Sequence, residues 1–279
     1  MTENSNPLQK HFRRPAIYFK LPSGGAFWPD ETLELTATGE LSVLPMTTKD
    51  EITIRTPDAL LNGHGVVEVI QSCIPSIKNA WKMPSIDVDA ALIAIRIASY
   101  SSNMEVDSVC PFCSEENTYQ IDLHQTLKSI HTPDYSQPLV VDELTFKFRP
   151  QQYFEINKVN LVNFEEQKIL NTINDASLED ADKSAQFAEH IARLVDLNNQ
   201  VYVDSLENIT INDSGTVVSD PVFINEFIKN ADRRIVNQIK LKIEEFSDIV
   251  KIKPVPVTCG ACQKPFDINV TFDHAHFFA

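Results

Sequence analysis

Two Cys-x-x-Cys pairs constrain the fold of this chain more than any other feature of its sequence. Cys110 and Cys113 form the first pair, and Cys259 and Cys262 form the second. The short spacing lets both sulfurs of a pair point at one centre, either as a redox disulfide or as half of a tetrahedral metal site. Four thiolates from two such pairs are the usual ligand set of a structural zinc ribbon, so the sequence predicts a structural zinc site.

The residues that follow each pair repeat one pattern. Counted from the second cysteine of the pair, apolar residues occupy positions +6, +8 and +10 and polar residues fill the places between them. The apolar residues are Tyr119, Ile121 and Leu123 in the first copy and Ile268, Val270 and Phe272 in the second. This alternation is typical of a half-buried strand. Each copy is therefore predicted to be a cysteine knuckle followed by a strand, and we expect the two strand-bearing knuckles to pair with each other.

Other interpretations of the cysteines stay open at this point. The loop between the pairs is long, since 259 − 113 − 1 leaves 145 residues, and two separate reduced pairs without a metal are the main alternative. Disulfides are disfavoured in a reducing cytosol, and a redox role is disfavoured because strand patterns follow both pairs. Cys73 is predicted to be a buried small residue. His274 and His276 follow the second strand, where a histidine could replace a sulfur ligand or be solvated.

Composition indicates a globular protein outside the membrane. The chain has 279 residues, of which 43% are apolar, which is enough for one large or two ordinary domains. The first fourteen residues are polar and basic, without the apolar segment of a signal peptide. The most apolar run, residues 90–98, is far shorter than the roughly 20 residues of a membrane span. We therefore expect a soluble protein made in the cytosol.

The charge of the chain argues against a nucleic-acid-binding protein. Its 24 basic and 39 acidic residues give a formal net charge of −15, which repels a phosphate backbone. The one basic cluster consists of Lys10, Arg13, Arg14 and Lys20. We interpret this cluster as a solvated face or a protein contact.

The chain is predicted to have an α+β fold made of three units. Residues 1–105 form an N-terminal domain that is mostly β over residues 15–60 and helical afterwards. Residues 106–125 combine with residues 255–279 in a split zinc ribbon. The residues between them, 126–254, form a mainly helical insert with hairpins.

Periodicity and capping residues place the individual elements. In the first unit, helices are predicted at 56–63, 66–75 and 85–99, the last of which is nearly apolar all round and is therefore a core helix.

In the insert, hairpins are predicted to turn at Asp142-Glu143 and at Gly215, and helices are predicted near 152–174, 178–198 and 221–250. Apolar residues at steps of three and four form one stripe along the last helix, which we interpret as core rather than as a partner face. The stripe consists of Ile224, Ile228, Ala231, Ile235, Ile239, Ile243, Phe246 and Val250.

The sequence contains no motif typical of an enzyme. It has no P-loop, no G-x-G-x-x-G, no H-E-x-x-H and no G-x-S-x-G, and its seven glycines leave few residues for loops that bind phosphate. A zinc ion held by four cysteines also has no open position for a catalytic water. We predict no catalytic residues and no enzymatic activity.

Several long phrases resemble one family of phage proteins. They are PAIYFKLPSGGAFWP at 15–29, LPMTTKDEITIRTPDALLNG at 44–63 and VIQSCIPSIKNAWKMPSIDVD at 69–89, followed by the first cysteine knuckle. These segments are similar to the baseplate hub subunit and hub-assembly proteins of T4-like, contractile-tailed bacteriophages. The resemblance covers roughly residues 7–125 and does not include the insert.

The resemblance implies a non-enzymatic structural or assembly component of a tail baseplate, in its hub or wedge region. Its partners would be other baseplate or tail proteins, and its location would be the virion after synthesis in the host cytoplasm. An assembly chaperone absent from the mature virion and a zinc-ribbon regulator that binds nucleic acid are the alternatives. Phe19, Phe27 and Trp28 form the candidate contact region, although aromatic residues in such a segment are also common in cores.

Overall fold

A computed structural model of the chain describes residues 7–56, 62–175, 180–269 and 277–278, with the backbone alone described over 170–175 and 180–189. These residues form an α+β fold in which eight α-helices accompany small antiparallel sheets. No helix in this part of the chain combines the length and the apolar character that a membrane span needs.

The N-terminal region contains less β-structure than its sequence predicts. Strand β1 (Ile17–Lys20) pairs antiparallel with β2 (Glu40–Val43), and helix α1 (Thr48–Arg55) follows. The expectation that residues 15–60 are mostly β is therefore wrong. A capping box starts α1, because the Thr47 hydroxyl accepts a hydrogen bond from the Asp50 backbone while the Asp50 carboxylate accepts one from the Thr47 backbone.

Two further helices complete this region and build its core. Helix α2 (His64–Cys73) and helix α3 (Ser85–Ser99) agree with the predicted elements, whereas residues 57–61 of the helix predicted at 56–63 lie outside the described residues. Ten of the fifteen residues of α3 are buried and the others are half-buried, which confirms that it is a core helix. Almost completely buried side chains of this core include Leu41, Val43, Ile54, Val66, Ile70, Leu92, Ile93 and Phe278. Each such side chain stabilises the fold by about 1.5–3 kcal/mol relative to leaving it exposed.

The insert is built on a four-stranded antiparallel sheet in the order β5-β6-β7-β8. Its strands are β5 (Leu139–Val141), β6 (Leu144–Phe148), β7 (Leu206–Ile211) and β8 (Thr216–Val218). Both predicted hairpins are confirmed, and each turn contains a residue in the left-handed region, Asp142 with a φ of 51° and Gly215 with a φ of 66°. Between β6 and β7 the chain forms two long helices, α5 (Tyr153–Asp175) and α6 (Asp180–Ser205).

The long helix predicted at 221–250 is in fact two helices. Helix α7 (Pro221–Asn230) ends before Ala231, whose backbone is extended, and α8 (Arg233–Val250) begins after Asp232. The Asp232 carboxylate accepts a hydrogen bond from the Arg234 backbone (2.8 Å) and so caps a new helix. The apolar stripe nevertheless continues across the break. Its interpretation as core is confirmed, because four of its members are fully buried in the second core: Ile224, Ile228, Ile239 and Phe246.

Aromatic rings and backbone hydrogen bonds join the N-terminal region to the insert. Phe27 contacts Tyr135 edge to face, with ring centroids 5.2 Å apart, and Tyr135 contacts Phe246 of α8 at 4.7 Å. The Ser85 backbone N–H donates to the Gln151 carbonyl (2.8 Å) at the start of α3. The N-terminal region and the insert are therefore in direct contact at this end of α3.

The remaining elements carry the cysteines. Strand β3 (Asn103–Val109) and strand β4 (Glu116–Asp122) flank the first pair, and a short helix, α4 (Leu123–Ser129), follows. Strand β9 (Val255–Thr258) and strand β10 (Pro265–Ile268) flank the second pair.

A partly buried ion pair attaches the N-terminal segment to the first core. The Arg13 guanidinium donates to the Asp50 carboxylate (3.0 Å), to the Pro45 carbonyl (3.0 Å) and to both the carbonyl and the hydroxyl of Ser72 (2.8 Å each). Burial raises the pKa of Asp50, but hydrogen bonds from Thr47 and the charge of Arg13 outweigh burial and hold the pKa below its usual value.

We expect the replacement Asp50→Asn to destabilise the fold in a pH-dependent way. The folded-state pKa is lowered, so ionised Asp50 stabilises the fold above about pH 4, and this stabilisation is lost as the pH falls through the folded-state pKa. The variant should lower the free energy of unfolding at about pH 7 by about 1–3 kcal/mol, and the difference from wild type should shrink toward about pH 3. Urea unfolding at several pH values measures this difference, and Glu40→Gln, which removes an exposed carboxylate, is the control.

Candidate metal centre

Each cysteine pair lies in the turn of its own β-hairpin. Strand β3 pairs with β4 around the first pair, and β9 pairs with β10 around the second. In the part of the chain that the structure describes, neither β4 nor β10 joins the other hairpin in one sheet. The two knuckles meet as expected, but through their four sulfurs and not as one strand pair. Each strand already has a neighbour in sequence as its partner, and hairpin closure costs less entropy than long-range pairing.

The first knuckle has a compact backbone. The Cys110 N–H donates to the Glu115 carbonyl (2.9 Å), and the Ser114 N–H donates back to the Cys110 carbonyl (2.9 Å). Ser114, directly after the second cysteine, has a φ of 60°. This tight turn brings the side chains of Cys110 and Cys113 to the same side.

The second knuckle repeats these bonds at the equivalent residues. The Cys259 N–H donates to the Lys264 carbonyl (3.1 Å), and the Gln263 N–H donates to the Cys259 carbonyl (3.1 Å). Gln263, directly after the second cysteine, has a φ of 58°. The repeat seen in the sequence is therefore also a repeat of backbone conformation.

The structure brings the four thiols together from the two hairpins. Sulfur atoms of different knuckles lie opposite each other, with Cys110 Sγ 3.7 Å from Cys262 Sγ and Cys113 Sγ 3.6 Å from Cys259 Sγ. All four sulfurs lie within 4.8 Å of one another. A tetrahedral zinc with Zn–S bonds of about 2.3 Å requires sulfurs about 3.8 Å apart, whereas a disulfide requires about 2.05 Å. The four residues therefore fit a four-coordinate metal.

Hydrogen bonds and the close contact of the thiols lower the pKa of one cysteine and raise that of another. Backbone N–H groups, first that of Cys262 and then that of Ala261, donate to the Cys259 sulfur and lower the pKa of Cys259 to about 6. A hydrogen bond from the Glu115 backbone lowers the pKa of Cys113, but desolvation and the neighbouring thiols raise it to about 12. Close thiolates repel one another, and a divalent cation at their centre reverses that repulsion.

The four-thiol cluster could supply all the ligands of a tetrahedral metal ion. Four protein sulfurs complete a tetrahedral coordination shell, so such a site has no open position for water or substrate. Cys73 stands apart from this cluster in the first core, where burial raises the pKa of its thiol to about 12. Its prediction as a buried residue is confirmed. His274 and His276 lie outside the described residues.

Asn117 is a residue of this site that the sequence analysis missed. Its side-chain amide, on β4, donates to the sulfur of Cys259 (3.7 Å) and accepts a hydrogen bond from the Gly260 N–H (3.2 Å). The rings of Tyr119 and Phe266 also meet edge to face between the two hairpins, with centroids 5.9 Å apart. The sequence repeat did contain a signal for Asn117. The fourth residue after the second cysteine is polar in the first copy (Asn117) and aromatic in the second (Phe266).

The three aromatic residues of the candidate contact region differ in their surroundings. Phe19 is buried in the first core, and Trp28 donates its indole N–H to the buried Asp87 carboxylate (2.8 Å). Burial raises the pKa of Asp87, against hydrogen bonds from Ser23 and Trp28. Phe27 is 39% exposed and also packs on the insert. A role of these residues in binding a partner stays a prediction.

The basic cluster is divided in the same way. The Arg13 side chain binds residues of the first core, whereas Lys10, Arg14 and Lys20 are exposed. Exposed aromatic side chains lie between them, since Phe12 is 57% exposed and Tyr18 is 64% exposed. The N-terminal segment therefore presents cations and aromatic rings on one stretch of chain.

Comparison with known proteins agrees with the resemblance seen in the sequence and extends it. The family model described as T4 bacteriophage base plate protein matches residues 15–279. This match runs through the insert, which the resemblance over residues 7–125 had left out. Searches of curated proteins and of solved structures found no match. The match covers nearly the whole chain, and the protein belongs to the T4 bacteriophage base plate protein family.

Proposed function

We propose that this protein is a non-enzymatic structural or assembly component of the baseplate of a contractile phage tail, in its hub or wedge region. The observation that carries the proposal is the meeting of four thiols from chain segments 145 residues apart (259 − 113 − 1) in a member of a base plate family. A component of this kind acts through the fixed positions of its surfaces.

A structural zinc in the four-thiol cluster supplies the rigidity in this proposal. Cys110 and Cys113 lie before the insert, and Cys259 and Cys262 lie after it. A zinc ion bound by all four closes the insert into a loop anchored at both ends, which lowers the entropy of its unfolded state. The insert is then held in one orientation to the N-terminal region, with the contacts of Phe27 on Tyr135 as a second attachment.

The three-unit division of the chain is part of the same proposal. Residues 1–105 form the N-terminal unit, residues 106–125 and 255–279 form the split zinc ribbon, and residues 126–254 form the insert. The grouping of buried side chains into two hydrophobic cores supports the separation of the insert from the rest of the chain, whereas ribbon residues such as Ile121 and Ile268 share the first core with the N-terminal unit. Three residues are exceptions: Ile86 of the N-terminal unit is buried in the second core, and Ile130 and Tyr153 of the insert are buried in the first.

The proposed partners are other baseplate or tail proteins. The region of Phe19, Phe27 and Trp28 is one proposed contact, and the exposed cations of the same N-terminal segment, Lys10, Arg14 and Lys20, suit an acidic protein surface. The net charge of −15 disfavours a regulator that binds nucleic acid.

We expect the protein to be present in purified, intact virions. A permanent component keeps its interfaces in the finished particle, whereas an assembly chaperone leaves it. Mass spectrometry of gradient-purified particles should detect the chain at a constant ratio to other tail proteins. Detection in infected cells together with absence from particles would instead assign it the role of an assembly chaperone.

We also expect the purified protein to hold about one zinc ion per chain, in accordance with a four-cysteine site. The variants Cys110→Ser and Cys259→Ser should each lose the zinc completely, because each removes one ligand of the same ion. Metal analysis by mass spectrometry measures the content, and Cys73→Ala, which changes the cysteine outside the cluster, should keep it. Loss of metal in only one of the two serine variants would show that the knuckles act separately.

Removal of the metal should destabilise the whole chain and not one hairpin alone. Zinc binding to such sites contributes several kcal/mol to folding, so a strong chelator should lower the melting temperature of the wild type by about 10 °C or more. Differential scanning calorimetry measures the shift. The variant Cys259→Ser is the control, because chelation should not change its melting temperature.

A further inference from the structure

The two knuckles are alike in backbone but differ in how they contact each other. In the described chain, the hydrogen bonds that cross between the hairpins are the two thiol contacts and two bonds of Asn117. Asn117 Nδ2 donates to Cys259 Sγ, and Asn117 Oδ1 accepts from the Gly260 N–H. One side chain of the first knuckle therefore contacts a cysteine sulfur and the adjacent backbone of the second.

Both ends of the amide are needed for this contact. A backbone N–H can only donate, so the amide oxygen faces Gly260. The amide nitrogen then donates to the sulfur of Cys259 and to the Glu115 carbonyl of its own knuckle (3.2 Å). A metal-bound thiolate is an acceptor, and a neutral N–H donor stabilises it without adding charge. An aspartate at residue 117 would place a negative charge beside the thiolates and could not donate to them. The chemistry of the site thus favours an amide over a carboxylate.

The sequence of the other knuckle excludes the mirror-image contact. The residue equivalent to Gly260 is Pro111, which has no N–H, and the residue equivalent to Asn117 is Phe266. Residue 260 must also be small, because a Cβ added there would lie 3.0 Å from Asn117 Oδ1. Asn117 of the first knuckle therefore faces a free N–H at Gly260 of the second. In the reverse direction, Phe266 of the second knuckle has no polar group and Pro111 of the first has no N–H.

We propose that Asn117 is a positioning residue of the metal centre, which sets the register of the two knuckles and holds the Cys259 sulfur in place to bind zinc. This inference rests on the metal site of the proposed function. The hydrogen bond between the amide oxygen and the Gly260 N–H holds the second knuckle against the first without the metal. Part of the entropy cost of ordering the two knuckles is therefore met before zinc binds. It then acts on metal affinity in the way that outer ligands orient inner ones.

Zinc affinity of the full-length protein tests this role. We expect Asn117→Ala to weaken zinc binding by about 10- to 100-fold, the usual effect of removing a group that orients a ligand. Competition with a chromophoric zinc chelator measures the affinity. Gly260→Pro should weaken binding as well, because it removes the N–H that faces the amide oxygen and adds a ring that crowds that oxygen. Pro111 occupies the same place in the first knuckle, so a proline is compatible with the knuckle backbone.

Two controls separate positioning from general loss of structure. Gln120→Ala removes a side-chain amide from the same strand, where it donates to Glu105 rather than to the thiols, and should leave zinc affinity unchanged. Cobalt(II) bound in place of zinc should keep the spectrum of four thiolate ligands in Asn117→Ala, with its sulfur-to-cobalt charge-transfer band shifted relative to wild type and Gln120→Ala. The shift reports the lost hydrogen bond to one sulfur.

The possible failures of this inference and of the metal site are distinguishable. Equal affinity in wild type, Asn117→Ala and Gly260→Pro would overturn the role of Asn117 while the metal centre stands. Equal weakening in Asn117→Ala and Gln120→Ala would also overturn it, since any damage to the strand would then have the same effect. A wild-type protein that binds no zinc would overturn both.

Discussion

The contact between four sulfurs is the interaction on which the arrangement of this chain depends. Two hairpins far apart in sequence meet where Cys110 faces Cys262 at 3.7 Å and Cys113 faces Cys259 at 3.6 Å. Without a cation, four thiols at this spacing do not readily lose their protons together, as the lowered pKa of Cys259 and the raised pKa of Cys113 indicate. A zinc ion turns this unfavourable cluster into a strong link.

The insert is attached at a second place that does not involve the cysteines. The start of α3 contributes Ile86 to the second core, and Phe27 contacts Tyr135. Two attachments at separated points restrict rotation of the insert relative to the N-terminal region more than a single attachment does. For a member of the base plate family, we infer that this restriction is the useful property, because neighbouring subunits in an assembly require surfaces at fixed positions.

Local patterns in the sequence predicted the local structure well where side chains decide it. The knuckles, the hairpin turns at Asp142 and Gly215, and the core helix 85–99 follow from turn chemistry and apolar periodicity. The stripe through Ile224 and Phe246 was also read correctly as core, yet the break at Asp232 was missed. An apolar period continues across a short break when both helices pack on one core, so periodicity alone does not reveal an N-cap.

The sequence by itself determined that this chain carries two equivalent cysteine knuckles, an apolar helix for a core and a strongly negative net charge. Those properties depend on residues near one another in the chain. Tertiary structure decided that each strand stays in its own hairpin, that the four thiols meet, and that Asn117 contacts Cys259 across 142 residues. These contacts depend on the folding of the 145 residues (259 − 113 − 1) between the knuckles, which no pattern within either knuckle contains.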